Sequence, residues 1–299
     1  MSDTSTTLSN TKKRKRKRNR RKVVNALGTN TAAIETKDQN QGDALEEDNN
    51  HSIYQQTSKR VKIDTVNNVN NKNVWNGNEL DCDYSAISLD IETMPPHLLK
   101  YWYQRYVLFS RYDEGILMDE EGWYSVTPED FAKHIAERCA CGTIIDACCG
   151  VGGNAIQFAF TCDKVIAIDN NLTRLHCAKT NAKIYGVEDR IEFIHGDFFE
   201  LAPKLQADVV FLSPPWGGPT YLDCVEFDIK TMITIDGMKL YKRAKIITKN
   251  IAYYLPRHVN IYQLRLLAGT GNTVEVQEMR VNDTLKANVA YFGELVVEP

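Results

Sequence analysis

The chain has 299 residues, a quarter of them charged, and a formal net charge of −3. Residues 1–22 carry ten of its Lys and Arg against one acid, Asp3, so residues 23–299 retain 26 basic and 38 acidic side chains, a formal charge of −12. Such a body excludes broad, non-specific nucleic-acid binding by the fold. With no secretory apolar segment and no apolar run near twenty residues, the expectation is a soluble intracellular chain with reduced thiols.

In chain order, the first feature is Lys12-Lys-Arg-Lys-Arg-Lys-Arg18 followed by Arg20-Arg-Lys22. A flexible cationic string of this kind suits a nuclear-import receptor, an RNA-binding arm, or a merely solvated tail. Import is the favoured reading, with RNA attraction as a second use. The rest of residues 1–90 is rich in Asn, Thr, Lys, Asp and Gln. It cannot bury enough apolar surface to offset its ordering entropy and is expected to be a disordered tail.

Residues 91–140 read as a small helical extension. Pro95-Pro96 suits a helix start, and Leu98, Leu99, Tyr101, Trp102, Tyr106 and Leu108 supply an apolar stripe. Ser125-Val-Thr-Pro128-Glu-Asp130 reads as the cap and first turn of a helix through Phe131, Ile135 and Ala136.

From residue 141 to 299 the pattern alternates. Strand-like runs fall at 143–147, 164–169, 191–194, 208–212, 251–255, 274–276 and 289–292, with helix-like runs at 154–161, 172–185, about 237–249 and 260–267. That order predicts an α/β fold: a mostly parallel seven-stranded sheet flanked by helices, Rossmann-like. The last two strands, linked by Asn282-Asp283, are expected to pair antiparallel at the sheet's end. Eight Cys are present without a CxxC pair, and no Cys/His spacing matches a metal site; packing is their expected role.

In open α/β sheets ligands bind where strands end and the chain turns. Gly150-Val-Gly152-Gly153-Asn154 follows the first strand, and Gly150, Gly152 and Asn154 are assigned to a nucleotide-like cofactor. Asp146 ends that strand, where an acid suits an amino group and repels a pyrophosphate, which counts against a dinucleotide. Asp169 ends the second strand and suits two ribose hydroxyls. Asp197 follows the third and suits an adenine amine, with Phe198 against the ring. Taken singly, an Asp here is equally a helix cap and a Gly equally a tight turn. Three acids ending three successive strands favour S-adenosylmethionine.

Ser213-Pro214-Pro215-Trp216 follows the fourth strand. An aromatic amine is a poor nucleophile because its lone pair is delocalised into the ring. A Ser hydroxyl and the Pro214 carbonyl can hold its N–H bonds so that the lone pair faces a methyl carbon, and alignment supplies most of the acceleration. Ser213, Pro214 and Trp216 are therefore the candidate catalytic residues. Trp216 offers a stacking face, and Trp makes the strongest cation–π contact, which suits a positively charged base such as N7-methylguanine. The competing reading is that Trp216 fills a core gap.

These residues, with Lys100-Tyr-Trp-Tyr-Gln-Arg-Tyr106, Phe109-Ser-Arg-Tyr-Asp-Glu-Gly115, Gly122-Trp-Tyr-Ser-Val-Thr-Pro128 and Tyr254-Leu-Pro-Arg257, resemble the trimethylguanosine synthases over about Lys100 to Leu295. Members convert the N7-methylguanosine cap of small nuclear and nucleolar RNAs to the 2,2,7-trimethylguanosine cap. The resemblance implies cofactor contacts from Phe109, Thr127, Asp146, Asp169, Asp197 and Phe198. It implies a guanine pocket of Ser213, Pro214 and Trp216, Asn181 on the cap nucleoside, and Lys100 and Arg257 on the cap triphosphate. Cys148, His258 and Thr220 depart from residues common in the family, which loosens the ribose and loop contacts.

The expectation is thus a nuclear or nucleolar enzyme, with the cytoplasm as a second location, that methylates the N2 of N7-methylguanosine-capped RNA twice. RNP proteins and an import receptor for Lys12–Lys22 are the expected partners, and neither metal nor membrane is expected. Its rivals are a guanine-N2 or other amino-methyltransferase acting on rRNA, tRNA, DNA or a protein amide, and a non-catalytic cap-binding protein.

Overall fold

The computed structural model describes Asp83, Ser85, Ile87, Ile91, Glu92 and residues 94–297. The basic block and most of the expected disordered tail lie outside the described residues; at the tail's end the expectation fails, because the Asp83 amide donates to Thr173 Oγ1 at 3.1 Å and Ile87 bridges Asp119. Seven strands form one sheet: β1 (Thr143–Asp146), β2 (Lys164–Asp169), β3 (Ile191–His195), β4 (Val209–Leu212), β5 (Ile251–Pro256), β6 (Val274–Val281) and β7 (Thr284–Phe292). Their order is β3-β2-β1-β4-β5-β7-β6. The five strands from β3 to β5 are parallel, and β7 runs antiparallel to β5. The sheet is therefore mixed, as the sequence pattern implies. The reversal uses Asn282 and Asp283, both at positive φ (46° and 62°), the backbone that a two-residue hairpin turn requires.

Strands β1, β2, β4 and β5 are almost entirely buried, so they read as continuous apolar runs, as a sheet covered on both faces demands. The covering helices are α4 (Glu129–Arg138), α5 (Gly153–Phe158), α6 (Leu172–Tyr185), α7 (Phe198–Leu201), α8 (Gly237–Ala244) and α9 (Ile261–Ala268). The α6 span matches its sequence reading. Asn171 caps it by accepting from the Arg174 amide, and Gly186, at φ 72°, ends it.

The extension differs from expectation. It is broken into α1 (Leu99–Trp102), α2 (Arg105–Leu108), α3 (Glu120–Ser125) and α4. Gln104, at φ −103° and ψ 7°, breaks the stripe between α1 and α2, and beyond it Phe109, Gly115 (φ 102°) and Val126 leave helical backbone again. What holds these pieces is aromatic packing: Trp102, Tyr112 and Trp123 sit with ring centroids 5.6–5.9 Å apart. The expected side-chain cap of α4 is also absent. Pro128 occupies the cap position, and the Thr127 hydroxyl accepts instead from Asn154 Nδ2 at 2.9 Å.

The strand order reverses between β1 and β4. In an open α/β sheet that switch point leaves a crevice beyond the strands' carboxyl ends. Ala147–Gly150, Asp169, Ser213–Trp216 and Arg257 all gather there.

Candidate active site

The crevice holds a cleft of about 340 Å³ lined by Lys100, Thr127, Gly150, Asn154, Asp169, Ser213, Pro214, Trp216, Tyr254 and Arg257, among others. A second hollow, of about 400 Å³, shares Cys148, Asp169, Arg174 and Pro215 with it and continues to Asp197 and Phe198. The two make one bent groove spanning the carboxyl ends of β3, β2, β1, β4 and β5.

The glycine turn is shaped by close approach. Gly152 has φ 91°, and a Cβ there would lie 3.0 Å from the Ala178 Cα. A Cβ on Gly153 would meet Val126 Cγ2 at 2.6 Å, so α5 packs against the extension only because that position is bare. Asp169 stabilises the turn: one oxygen accepts from the Gly150 amide and the other from the Asn171 amide, each at 2.9 Å. Its oxygens keep lone pairs toward the cleft, and burial raises its pKa.

Asp146 is wholly buried and does not line the cleft; it lies one layer beneath. No group meets hydrogen-bond geometry with either of its oxygens. The Cys148 and Ala155 amides favour its charged form only weakly. Burial wins, and its pKa is pushed up to about 7 from 3.8. Between those values unfolding releases a proton that the folded chain retains. This contribution to stability is fully present below about pH 4 and is lost as pH rises toward 7. The size is up to roughly 4 kcal/mol. Melting of the ligand-free protein should therefore move to lower temperature from pH 5 to pH 8, and Asp146→Asn should flatten most of that slope. An unchanged slope in the variant would place the titration elsewhere.

Asp197 caps α7 by accepting from the Phe199 amide at 2.7 Å, leaving its other oxygen to the groove, where Phe198 also presents an edge. The donor set fits a cationic, hydroxyl-bearing nucleoside. A buried carboxylate and the buried Asn154 Oδ1 lack partners, and two further acids open onto the groove. Among the described residues no group of three or more His, Cys, Asp or Glu is arranged to hold a metal ion. No helix there is long and apolar enough to cross a membrane.

Ser213 donates its hydroxyl to the Cys148 carbonyl at 3.3 Å, so its oxygen presents only acceptor lone pairs to the cleft. Trp216 stacks on Tyr254, with centroids 5.2 Å apart and planes at 28°, and takes the edge of Tyr221 at 5.1 Å. It is held as a platform over the cleft. Tyr221 in turn stacks on His258, whose Nε2 lies 2.9 Å from the Tyr221 carbonyl.

Besides Asp146, two expected contacts fall elsewhere. Asn181 is wholly buried: its Oδ1 accepts from the Leu117 amide, and its Nδ2 donates to the Leu117 and Val151 carbonyls. Every polar group it has is used in clamping the extension to the glycine turn, so it has none to offer a cap nucleoside. Phe109 is buried behind Gly153, with its ring tip 3.8 Å from the point a Cβ on that glycine would occupy, and does not line the groove. Asn181→Ala should leave the buried Val151 carbonyl and the half-buried Leu117 carbonyl and amide without their partner and destabilise the domain by about 2–4 kcal/mol, at roughly 1 kcal/mol per group. Chemical denaturation measures it, and a loss below about 1 kcal/mol would contradict the clamp.

Sequence reading missed Tyr221, Tyr254, Lys286 and the Arg174 cluster. Arg174 donates to Asp119 at 2.9 Å and pairs with Glu121 on the wall between the two hollows. Tyr254 looked like one more buried strand residue. Lys286 enters through the hairpin: Pro256 pairs with Ala287, so Arg257 and Lys286 follow on opposite strands at the cleft mouth. Like charges facing across strands cost stability, which an anion would relieve.

Comparison with known proteins points in the same direction as this geometry. A family model described as RNA cap guanine-N2 methyltransferase matches residues 141–295. The chain is 37% identical over 210 residues to a trimethylguanosine synthase of Schizosaccharomyces pombe, covering 67% of this chain and 87% of that one. It is 36% identical over 213 residues to a trimethylguanosine synthase of Saccharomyces cerevisiae, covering 66% and 68%. Among solved structures, a methyltransferase described as putative from Porphyromonas gingivalis shares the fold at TM-score 0.51 and 14% identity. That match covers 70% of this chain and about half, 53%, of that one.

Proposed function

The chain belongs to the RNA cap guanine-N2 methyltransferase family, and on that footing we propose that it dimethylates the exocyclic N2 of an N7-methylguanosine RNA cap, using S-adenosylmethionine. The observation that carries this is one groove in which acids ending β2 and β3 adjoin the acceptor oxygens and aromatic platform that follow β4.

S-adenosylmethionine supplies, when bound, a methyl group on a sulfonium. Asp169 would hold its ribose hydroxyls, Asp197 and Phe198 its adenine, and the Gly150–Asn154 turn its amino-acid end, with the buried Asp146 carboxyl beneath the turn. The Ser213 hydroxyl oxygen and the Pro214 carbonyl accept the N–H bonds of the guanine amine and turn its lone pair out of conjugation. Trp216 covers the base. No strong base is needed before attack, since the product ammonium sheds its proton readily. Lys100, Arg257 and Lys286 gather positive charge at the mouth, where the cap phosphates leave the cleft. A local cationic rim on an acidic body grips the phosphorylated end of an RNA rather than its length.

The test is mass spectrometry of capped RNA after incubation with protein and S-adenosylmethionine. N7-methylguanosine caps should gain one and then two methyl groups, and unmethylated guanosine caps far fewer. Equal modification of both caps would favour a different amino-methyltransferase. No cofactor binding by calorimetry would favour a cap-binding module.

Small nuclear and nucleolar RNAs are the proposed substrates, and the nucleus is the proposed location. The support is the Lys12–Lys22 block, whose composition suits an import receptor. Deleting residues 1–22 should leave methylation of a cap dinucleotide nearly unchanged and abolish nuclear accumulation. A truncated protein that still concentrates in the nucleus would refute the import reading.

A further inference from the structure

Two thiols at the end of the sheet opposite the groove are used by nothing above. The β1–β2 register pairs Thr143 with Lys164 and continues backward: the Lys164 amide donates to the Gly142 carbonyl at 2.9 Å, and the Asp163 amide to the Cys141 carbonyl at 3.3 Å. Extending it sets Cys141 opposite Cys162. Adjacent strands lie about 4.8 Å apart, inside the Cα separation that a disulfide spans. Their sulfurs are 3.8 Å apart, a van der Waals contact that a small side-chain rotation closes to a bond. Both thiols are free, Cys141 half-buried and Cys162 buried.

We propose that Cys141 and Cys162 form a redox-responsive dithiol that peroxide closes to a disulfide bracing the unit that carries the cofactor turn. Residues 141–162 comprise β1, the Asp146–Asn154 turn and α5. The bridge joins the two ends of that unit at the amino-terminal edge of the sheet. The groove lies at the carboxyl edge, so the link leaves it open.

The Cys141 thiol also donates to the Thr143 carbonyl at 3.4 Å and the Cys162 thiol to the Cys139 carbonyl at 3.7 Å, and between the two sulfurs either can be the donor. The half-buried Cys141 lies nearer solvent, with Cys162 behind it. One thiolate of the pair attacks one peroxide oxygen, the O–O bond breaks, and hydroxide leaves and is protonated to water, giving a sulfenic acid. The other sulfur of the pair then attacks that sulfur as its proton is lost. The S–O bond breaks, and hydroxide takes up the proton as the second water. Two thiols lose two electrons and one hydrogen peroxide becomes two waters.

The experiment treats the full chain with stoichiometric hydrogen peroxide, alkylates the remaining thiols and digests without reductant. Cleavage after Phe158 or Phe160 leaves the Cys141 and Cys162 peptides joined only by the bridge. The expected result is one Cys141–Cys162 link, with alkylatable thiols falling from eight to six. The Tm should rise by about 5 °C, reversed by dithiothreitol, because the bridge constrains the unfolded chain. Methyl transfer to a capped RNA should be retained. Cys141→Ser and Cys162→Ser should each form no bridge, and in each the remaining thiol of the pair should stop at a dimedone-reactive sulfenic acid. A Cys139–Cys162 or other pairing, oxidation of other thiols first, an unchanged or lowered Tm on bridging, or loss of methyl transfer would each overturn the proposal. The thiol count and Tm need no cap, so they test the bridge independently of the substrate reading; methyl transfer is compared with the untreated protein.

Discussion

Trp216→Ala is expected to lower methyl transfer to an N7-methylguanosine cap by about a hundredfold or more, while Trp216→Phe retains part of it. A base stacked on an aromatic ring is worth about 1–3 kcal/mol. Cation–π attraction adds up to about 2 kcal/mol when the pair is desolvated. The structure makes this a test of recognition rather than of folding. Trp216 is only partly buried, and its ring is supported by Tyr254 and Tyr221 without being enclosed by them. One face rests on Tyr254, so one face remains for a base. Phe preserves stacking but has the weaker quadrupole. The measurement is the ratio of dissociation constants for N7-methylguanosine and guanosine cap analogues, in wild type and Trp216→Phe. Loss of most of the preference in the Phe variant is expected. A preserved ratio would reduce Trp216 to a neutral platform.

Asp169→Ala should weaken S-adenosylmethionine binding by about 10- to 150-fold, the loss of a hydrogen bond to a charged group at about 1.5–3 kcal/mol. The side chain does two things at once. Its oxygens accept from the Gly150 and Asn171 amides, which fixes the glycine turn and the start of α6. Their remaining lone pairs face the groove. Asp169→Asn is an intermediate case, because its amide oxygen keeps one of the two backbone bonds and can still accept from the ribose, while its NH₂ side loses the other. Calorimetry should therefore rank the cofactor affinities as wild type, then Asn, then Ala, with the domain folded in each. Wild-type affinity in a folded Asp169→Ala protein would remove Asp169 from the ribose site.

Local rules make much of this protein legible from its residues. Buried parallel strands must be nearly all apolar, so β1, β2 and β4 stand out as runs. Asn171 and Gly186 bracket α6 because a cap and a left-handed stop are short-range chemistry. Asp169, Asp197, Ser213 and Trp216 were legible because each follows a strand directly, and in an α/β sheet the strand's end is the ligand edge.

What the sequence could not reveal is anything settled by contacts between distant segments. The extension's apolar stripe promised one helix. In the fold the chain leaves helical geometry at Gln104, within that stripe, and divides it into α1 and α2, whose rings pack with Tyr112 and Trp123. Asn181 sits on α6, and only the family resemblance sets it on the cap nucleoside. Only the fold shows that residues 117 and 151 consume its amide. Asp146 ends its strand as Asp169 does, yet the turn above it closes over one acid and leaves the other open. Burial is a property of the whole packed layer, which no local pattern encodes. Lys286 follows Arg257 by 29 positions in the chain and becomes its cross-strand neighbour only through the antiparallel pairing of β7 with β5. Strand-end chemistry is local and was determined by the sequence alone; burial, register and shared hydrogen bonds are long-range, and only the tertiary structure decided them.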